Sequence, residues 1–360
     1  MSQPFIHGGT IHQAARALTI DPQRVLDFSA NINPLGLSQE LSACLANSFW
    51  RLEHYPDPEC LDARQALAEH HVCDMDEITV GNGAAEIFQL ICLSLKPRRI
   101  LAFEPTYSGY AFAAHLYGIP YIPLVQDPWC EPKVGHLGDL IEPRDMLFLC
   151  SPNNPTGRSL TRAQVDFLVD LTAGKGVYLV LDESFYDFLP SSAAEESYIS
   201  APQLPSNLVV VRSLTKILAL PGLRLGYARA QADIAAKLRS VRDPWSVNAL
   251  ALEAAKAYPL MGEYIEATQS LIATENHYLR QALALRTPFT VVSGEANFLL
   301  VNLRSARITA TLLCTKLFAQ GILVRNCTTF AHLGEDFVRV AVRTHKENQR
   351  LIEALERVIL

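Results

Sequence analysis

The segment from Leu208 to Arg229 has the sequence LVVVRSLTKILALPGLRLGYAR. Its β-branched run Leu208–Val211 predicts a buried strand, because neither face offers a polar side chain to water. The turn residues Pro221 and Gly222 separate Lys216 from a second apolar run. Lys216 is therefore expected just beyond the end of a buried strand, where one side of its amine is removed from water.

The residue types around Lys216 suggest a cofactor that carries a carbonyl and a phosphate. Burial lowers the pKa of a lysine and frees its amine to attack carbonyls. Ser213 stands three residues before Lys216 and Arg224 eight after it, and a hydroxyl and a guanidinium can share one phosphate. Together they suggest pyridoxal phosphate (PLP) held on Lys216 as a Schiff base. A solvent-facing lysine and a surface ion pair of Arg224 explain the segment equally well, so the rest of the chain has to decide.

Composition narrows the class of protein. The 360 residues are 49% hydrophobic and 19% charged, which predicts a folded chain of two domains or of one large and one small domain. The net charge of −6, with no block of Lys and Arg, argues against nucleic acid as a partner. The N-terminus lacks a basic region before an apolar run, so no signal peptide is expected. No apolar run approaches the roughly 18 residues of a membrane helix, so no membrane span is expected either.

The cysteines predict a reducing, cytoplasmic location. None of the eight forms a CxxC pair, and Cys92 and Cys150 lie in apolar runs where reduced core thiols are expected. His70, His71 and Cys73 resemble metal ligands by type only, because one adjacent histidine pair is far weaker than a four-ligand pattern. We expect a helix end there and no metal site.

Short apolar runs alternate with helical segments through the first part of the chain. The predicted strands are Ile78–Val80, Ile100–Phe103, Tyr121–Val125, Met146–Cys150, Val177–Leu181 and Leu208–Val211. This alternation predicts an α/β fold with a mixed, mostly parallel and doubly wound sheet. Ligands bind beyond the carboxyl ends of such strands. Asn154, Asp182 and Lys216 each follow an apolar run, so all three should point into one crevice.

The pattern changes after residue 240 and predicts a second unit. We expect 1–45 to form an N-terminal arm and part of the small domain, 46–240 the large PLP-binding domain, and 241–360 a smaller α+β domain. The arm carries a predicted amphipathic helix near Ile11–Leu18. Strands of the small domain are predicted at Phe289–Val292, Phe298–Val301, Ile322–Arg325 and Phe337–Val342.

Several residues near the predicted crevice fit PLP, although each has an ordinary alternative. Asp182 could pair with the protonated pyridine nitrogen and keep the ring an electron sink, or it could cap a helix. Asn154 could donate to the phenolic oxygen, or it could form a turn. Tyr107 could stack on the ring, or it could belong to the core. In GNGAAE a glycine turn feeds a helix, whose first N–H groups could hold a phosphate or simply link strand and helix.

Two arginines in apolar strands suggest an anionic substrate. Arg325 lies in ILVRNC and Arg339 in FVRVAVRT. A charge in an apolar strand needs a carboxylate or phosphate partner. Either arginine alone could be a surface residue, but two in one small domain suggest a substrate that carries two anionic groups.

The motifs NNPTG, DES, SLTK with Arg224 eight residues on, and RVAVR make the chain recognisable. It resembles the fold type I PLP enzymes, the aspartate aminotransferase superfamily, over essentially its whole length. The resemblance implies an enzyme with Lys216 as the Schiff base and Asp182 at the pyridine nitrogen. It also implies a homodimer in which Tyr55, from the second subunit, reaches the cofactor phosphate.

The resemblance implies the remaining site residues as well. It assigns the cofactor to Gly83, Ala84, Ala85, Tyr107, Asn154, Ser213 and Arg224, and the substrate to His7, Asn31, Asn154, Arg325 and Arg339. How these residues divide the substrate's phosphate from its carboxylate does not follow from the sequence.

Two branches of the superfamily compete. YPDP, GNG and PTYSGY are similar to histidinol-phosphate aminotransferase, whereas HGG, FSANINPLG and PWSVNALA are similar to threonine-phosphate decarboxylase of cobalamin biosynthesis. Aminotransferases usually carry a tyrosine three residues after the aspartate. Here that position is Phe185, and Tyr186 would face away if the segment were extended. We therefore expect decarboxylation of O-phospho-L-threonine to (R)-1-amino-2-propanol O-phosphate, with histidinol-phosphate transamination as the alternative.

Overall fold

The computed structural model describes residues 8–130, 132, 134–190, 192 and 196–359. His7, one of the expected substrate residues, lies outside them. The strands are β1 Leu26–Asp27, β2 Ile78–Gly81, β3 Ile100–Glu104, β4 Tyr121–Val125, β5 Met146–Cys150, β6 Tyr178–Asp182, β7 Leu208–Ser213, β8 Gly226–Ala230, β9 Thr290–Val291, β10 Phe298–Asn302, β11 Ile322–Leu323, β12 Arg325–Asn326 and β13 Phe337–Ala341. The helices are α1 Ile11–Leu18, α2 Gln39–Asn47, α3 Leu61–His71, α4 Ala84–Leu95, α5 Gly109–Leu116, α6 Leu137–Leu140, α7 Arg162–Gly174, α8 Leu214–Ile217, α9 Ala232–Ser240, α10 Ala249–Ala257, α11 Gly262–Arg286, α12 Ala310–Phe318 and α13 His345–Ile359.

The large sheet is mixed and mostly parallel, as predicted. Within the described part of the chain it has seven strands in the order β2–β8–β7–β6–β5–β3–β4. The strands β4, β3, β5, β6 and β7 pair in parallel, and β8 runs antiparallel to both of its neighbours. The carboxyl ends of β5, β6 and β7 therefore meet at one edge of the sheet.

Both faces of this sheet are covered, which makes it doubly wound. Successive residues of β7 alternate between two apolar clusters, with Leu208 and Val210 in one and Val209 and Val211 in the other. All four are fully buried, which explains why β7 has no polar alternation in sequence. The second cluster also contains residues of α4 and α5, so these helices cover the face on which Val209 and Val211 lie.

The small sheet contains one correction to the sequence prediction. Its described strands run antiparallel in the order β12–β13–β10–β9. A single strand over Ile322–Arg325 is wrong, because β11 pairs in parallel with β1 of the N-terminal segment, whereas β12 pairs with β13. A continuous apolar run does not reveal that its two halves bond to different partners. The domain limits 1–45, 46–240 and 241–360 stay a prediction.

Local signals located most helices well. α1 and α3 have the predicted bounds, and α3 ends at the predicted position because Val72 adopts a left-handed conformation. Cys92 and Cys150 are buried free thiols. Across the ranges that the structure describes, no helix combines the length and the apolarity needed to cross a membrane.

Candidate active site

A cavity of about 730 Å³ opens at the carboxyl ends of β5, β6 and β7. The strand register brings these ends together, since Asp182 pairs with Cys150 on β5 and with Val211 on β7. Most of the residues expected at the site line this cavity, namely Asn31, Ala84, Ala85, Tyr107, Asn154, Asp182, Ser213, Lys216, Arg224, Arg325 and Arg339. The convergence expected for Asn154, Asp182 and Lys216 is therefore observed.

Lys216 lies in the short helical turn α8 that follows β7 directly. Its Nζ donates a hydrogen bond to Ser213 Oγ at 3.1 Å and lies 5.0 Å from the centre of the Phe185 ring. Burial lowers the pKa of Lys216 to about 8, and the positive charge of Arg224 acts in the same direction. The amine is therefore a nucleophile closer to neutral pH than an exposed lysine is.

Asp182 ends β6 and is only 3% exposed. Its Oδ2 accepts a hydrogen bond from the hydroxyl of Tyr110 at 2.6 Å, and its Oδ1 accepts one from the backbone N–H of Ser184 at 2.9 Å. Hydrogen-bond donors on both oxygens offset the cost of burying this carboxyl group. A carboxylate held in this way suits a cationic ring nitrogen.

An anion cradle forms where β7 and α4 approach each other. Gly83 adopts a φ of +78°, and a Cβ there would lie 2.5 Å from Arg224 Nη2, so the turn before α4 requires glycine. Ala84 and Ala85 begin α4 at the cavity wall, where the first N–H groups of a helix favour an anion. The Oγ atom of Ser213 and the Oγ1 atom of Thr215 lie 2.8 Å apart. Backbone donors, hydroxyls and a guanidinium together fit a phosphate.

Tyr107 lies on the cavity wall within an aromatic group. Its ring centre is 5.4 Å from that of Tyr110 and 6.2 Å from that of Phe88. Burial raises the pKa of Tyr107 to about 12, and the negative charge of Asp182 adds to this shift. The side chain is therefore a neutral aromatic surface next to Asp182, as a planar cofactor ring requires.

Arg339 connects the small sheet to the segments that follow β1 and β5 at the cavity. One terminal nitrogen donates to Asn154 Oδ1, and the other donates to the backbone oxygen of Ser29 at 2.8 Å. Because the oxygen of the Asn154 amide is occupied, its nitrogen is left to donate elsewhere. Burial lowers the pKa of Arg339 to about 10. No carboxylate within the described ranges forms an ion pair with this guanidinium, whose Nε is buried without a partner there.

Tyr55, which the resemblance assigns to the cofactor phosphate of a second subunit, does not line the cavity of its own chain. Tyr55 is 78% exposed and stacks on Trp245, with ring centres 4.5 Å apart. Tyr186 was expected to face away in an extended segment, but Phe185 is not extended, and Tyr186 begins a short 3-10 helix instead. The guanidinium carbon of Arg212 lies 5.0 Å from the centre of the Tyr186 ring. Phe185 remains at the cavity, where an aminotransferase of this type usually has a hydroxyl.

Sequence reasoning missed Tyr110 and Thr215. Tyr110 is the second tyrosine of PTYSGY, and its contact with Asp182 spans 72 residues of chain. Thr215 lies between Ser213 and Lys216 in SLTK. A second hydroxyl beside the lysine was the available signal for Thr215, whereas the sequence contained no comparable signal for the partner of Tyr110.

A family model described as aminotransferase class I and II matches residues 23–355. The chain belongs to this family. It is therefore a PLP-dependent enzyme, and the cradle, the buried Asp182 and the half-buried Lys216 fit that cofactor. Lys216 Nζ would bind the cofactor covalently, Asp182 would hold the cofactor's ring nitrogen, and the cradle would hold its phosphate.

Individual relatives come from both expected branches. The chain is 37% identical to the threonine-phosphate decarboxylase of Salmonella typhimurium, over 98% of this chain and 96% of that protein. Its fold matches the L-threonine-O-3-phosphate decarboxylase of Porphyromonas gingivalis with a TM-score of 0.81 and 27% identity, over 92% of this chain and 99% of the other. It also matches the histidinol-phosphate aminotransferase of Clostridium acetobutylicum with a TM-score of 0.84 and 27% identity, over 93% and 99%.

Proposed function

We propose that this protein decarboxylates O-phospho-L-threonine to (R)-1-amino-2-propanol O-phosphate, as a step of cobalamin biosynthesis. One observation carries the proposal of a phosphorylated, doubly anionic substrate. Arg325 on β12 and Arg339 on β13 are direct partners across the two strands, and their residues are only 7% and 6% exposed. Both line the cavity that contains Lys216.

Two arginines on directly paired positions of neighbouring strands favour an anion near both. Like charges directly across a strand pair repel, and burial adds the cost of removing water from each group. Burial lowers the pKa of both Arg325 and Arg339, which reflects the same cost. An anion that enters the cavity offsets the repulsion and forms charge-assisted hydrogen bonds. Arg325, which already donates to Thr329 Oγ1 at 2.7 Å, and Arg339 together suit a substrate with one phosphate and one carboxylate.

The chain's own residues suggest how the reaction is directed. PLP, when bound, withdraws electrons from the bond that breaks at the substrate's Cα. The substrate's phosphate and carboxylate would be bound by Arg325, Arg339, Asn31 and the arm residue His7. This binding would orient the carboxylate so that it leaves as carbon dioxide. Lys216 Nζ would return a proton to Cα, because Lys216 lines the cavity and has a pKa of about 8.

Phe185 favours decarboxylation over transamination. It contributes an apolar ring 5.0 Å from Lys216 Nζ, where transaminases of this fold usually have a phenol. Transamination also requires the same site to accept a second, dicarboxylic substrate, whereas decarboxylation requires only one. The 37% identity to a threonine-phosphate decarboxylase supports the same branch.

We expect the PLP-loaded enzyme to release carbon dioxide from O-phospho-L-threonine without an added keto acid. The measurement follows carbon dioxide and the phosphorylated amine together, with L-threonine as the control that lacks the phosphate. L-threonine should react far more slowly, because it lacks the phosphate, one of the two anionic groups that the arginines would bind. If turnover instead requires 2-oxoglutarate, and histidinol phosphate reacts while O-phospho-L-threonine does not, the protein is a histidinol-phosphate aminotransferase.

We also propose a homodimer in which each subunit completes the other's site. Tyr55 stacks on the exposed Trp245, and Phe49, Trp50 and Leu52, which precede it in sequence, are exposed as well. Exposed apolar patches of this kind mark protein interfaces, and the resemblance assigns Tyr55 to the cofactor phosphate of a second subunit. Tyr55 does not line the cavity of its own chain. This is compatible with a contact to the cofactor of the second subunit.

Subunit mixing tests the shared site. Tyr55→Ala and Lys216→Ala chains should each be inactive, and a one-to-one mixture should recover about a quarter of wild-type activity, because half of the dimers then hold one intact site. Mass spectrometry of the mixture verifies subunit exchange. Exchange without any recovery would contradict a role for Tyr55 across the interface.

A further inference from the structure

Tyr110 makes a contact that the assigned roles do not use. Its side chain is fully buried beneath the cavity, and its hydroxyl donates to Asp182 Oδ2 at 2.6 Å. Aromatic rings hold it in place on several sides. The ring centres of Phe148, Phe88 and Tyr107 lie 4.8 Å, 5.1 Å and 5.4 Å away. The hydroxyl is therefore positioned before any ligand enters, and it points at the carboxylate assigned to the cofactor's ring nitrogen.

We propose that Tyr110 is a positioning residue that keeps the proton of the Asp182–cofactor hydrogen bond on the ring nitrogen. A carboxylate offers about four acceptor positions, of which Tyr110 and the N–H of Ser184 occupy two. A hydrogen-bond donor on a carboxylate oxygen weakens the pull of that carboxylate on a further proton. The shared proton therefore stays on the pyridine nitrogen, and a protonated ring is the better electron acceptor.

The surroundings of Asp182 support this role for Tyr110 in particular. Burial, together with the charge of Asp182, raises the pKa of Tyr110 well above its ordinary value, so the hydroxyl stays a neutral donor at every working pH. Cys150 Sγ lies 3.9 Å from the same oxygen and donates at 3.2 Å to the backbone oxygen of Pro152. The thiol of Cys150 is therefore a weaker hydrogen-bond donor to Asp182 than the hydroxyl of Tyr110 is. The inference rests on PLP as the cofactor and holds for either reaction.

Tyr110→Phe removes the hydroxyl and retains the ring. Tyr227→Phe is the matched control, because Tyr227 is also fully buried and also donates or accepts one hydrogen bond, with His71 Nε2 at 2.7 Å. Tyr227 belongs to the apolar cluster on the other face of the sheet. The readout is the solid-state ¹⁵N resonance of the ring nitrogen in enzyme loaded with ¹⁵N-labelled PLP, since this resonance moves downfield when the nitrogen loses its proton.

We expect the resonance to move downfield in Tyr110→Phe and to stay at the wild-type position in Tyr227→Phe. Turnover should fall about ten- to a hundredfold in Tyr110→Phe at unchanged KM, which is the range for one lost hydrogen bond to a charged group. An unchanged resonance in Tyr110→Phe, or an equal shift in Tyr227→Phe, overturns the proposal. If Tyr110→Phe does not fold, 3-fluorotyrosine at position 110 supplies a stronger donor of nearly the same shape. Its resonance should lie at or upfield of the wild-type position, and a downfield shift overturns the proposal.

Discussion

Lys216→Ala should abolish covalent attachment of PLP and reduce turnover by about a thousandfold or more, because both the bound amine and the positioned proton donor are lost. Borohydride reduction of the wild-type enzyme should leave the cofactor on the peptide that contains Lys216. Lys237→Ala is the matched control, since Lys237 is half exposed and pairs with Asp233 at the surface. A reduced adduct on Lys175 or Lys237 would show that the lysine has been assigned wrongly.

The pH dependence of attachment provides a second measurement on the same lysine. Only the neutral amine attacks a carbonyl, so the attachment rate should rise about tenfold per pH unit and level off near pH 8. With a pKa of about 8 in place of the ordinary 10.5, the neutral fraction at pH 7 is about 300 times larger. The measurement is the rate at which the cofactor-free chain binds PLP. A rate that continues to rise through pH 10 would mean that burial does not activate the amine.

Arg325→Ala should lower kcat/KM for O-phospho-L-threonine by about 30-fold to several thousandfold, which corresponds to about 2–5 kcal/mol for a lost buried charge contact. PLP affinity should change little, because Arg325 lies on β12 of the small sheet, whereas the cradle residues lie on β7, on α4 and in the segment after β7. The experiment compares steady-state kinetics with PLP titration of the cofactor-free protein.

The matched control for Arg325 is Arg304→Ala. Arg304 is an exposed arginine of the same part of the chain and pairs with Asp336 at 2.7 Å, an arrangement that contributes little to stability. Arg304→Ala should leave both kcat/KM for O-phospho-L-threonine and the affinity for PLP near their wild-type values. If Arg325→Ala weakens substrate and PLP equally, the arginine supports the fold and does not bind the substrate.

Local sequence signals predicted much of the structure correctly. The uninterrupted apolar run Leu208–Val211 forms the first four residues of β7, because both faces of that part of the strand are covered by apolar clusters. The apolar periodicity of Ile11–Leu18 and Leu61–His71 located α1 and α3. Polar residues that follow apolar runs predicted the crevice, since parallel strands bring their carboxyl ends to one edge.

Contacts between distant segments were decided only by the tertiary structure. The bond from Arg339 to the backbone oxygen of Ser29 spans 310 residues, and the bond from Tyr110 to Asp182 spans 72. The change of sheet between β11 and β12 and the opposition of Arg325 to Arg339 depend on strand register. Periodicity reports which residues are apolar and how they alternate, but it does not report which strand pairs with which. The crevice and its lysine therefore follow from local sequence pattern. The hydrogen bond of Tyr110 to Asp182 and the pairing of Arg325 with Arg339 follow instead from packing between elements that are far apart in the chain.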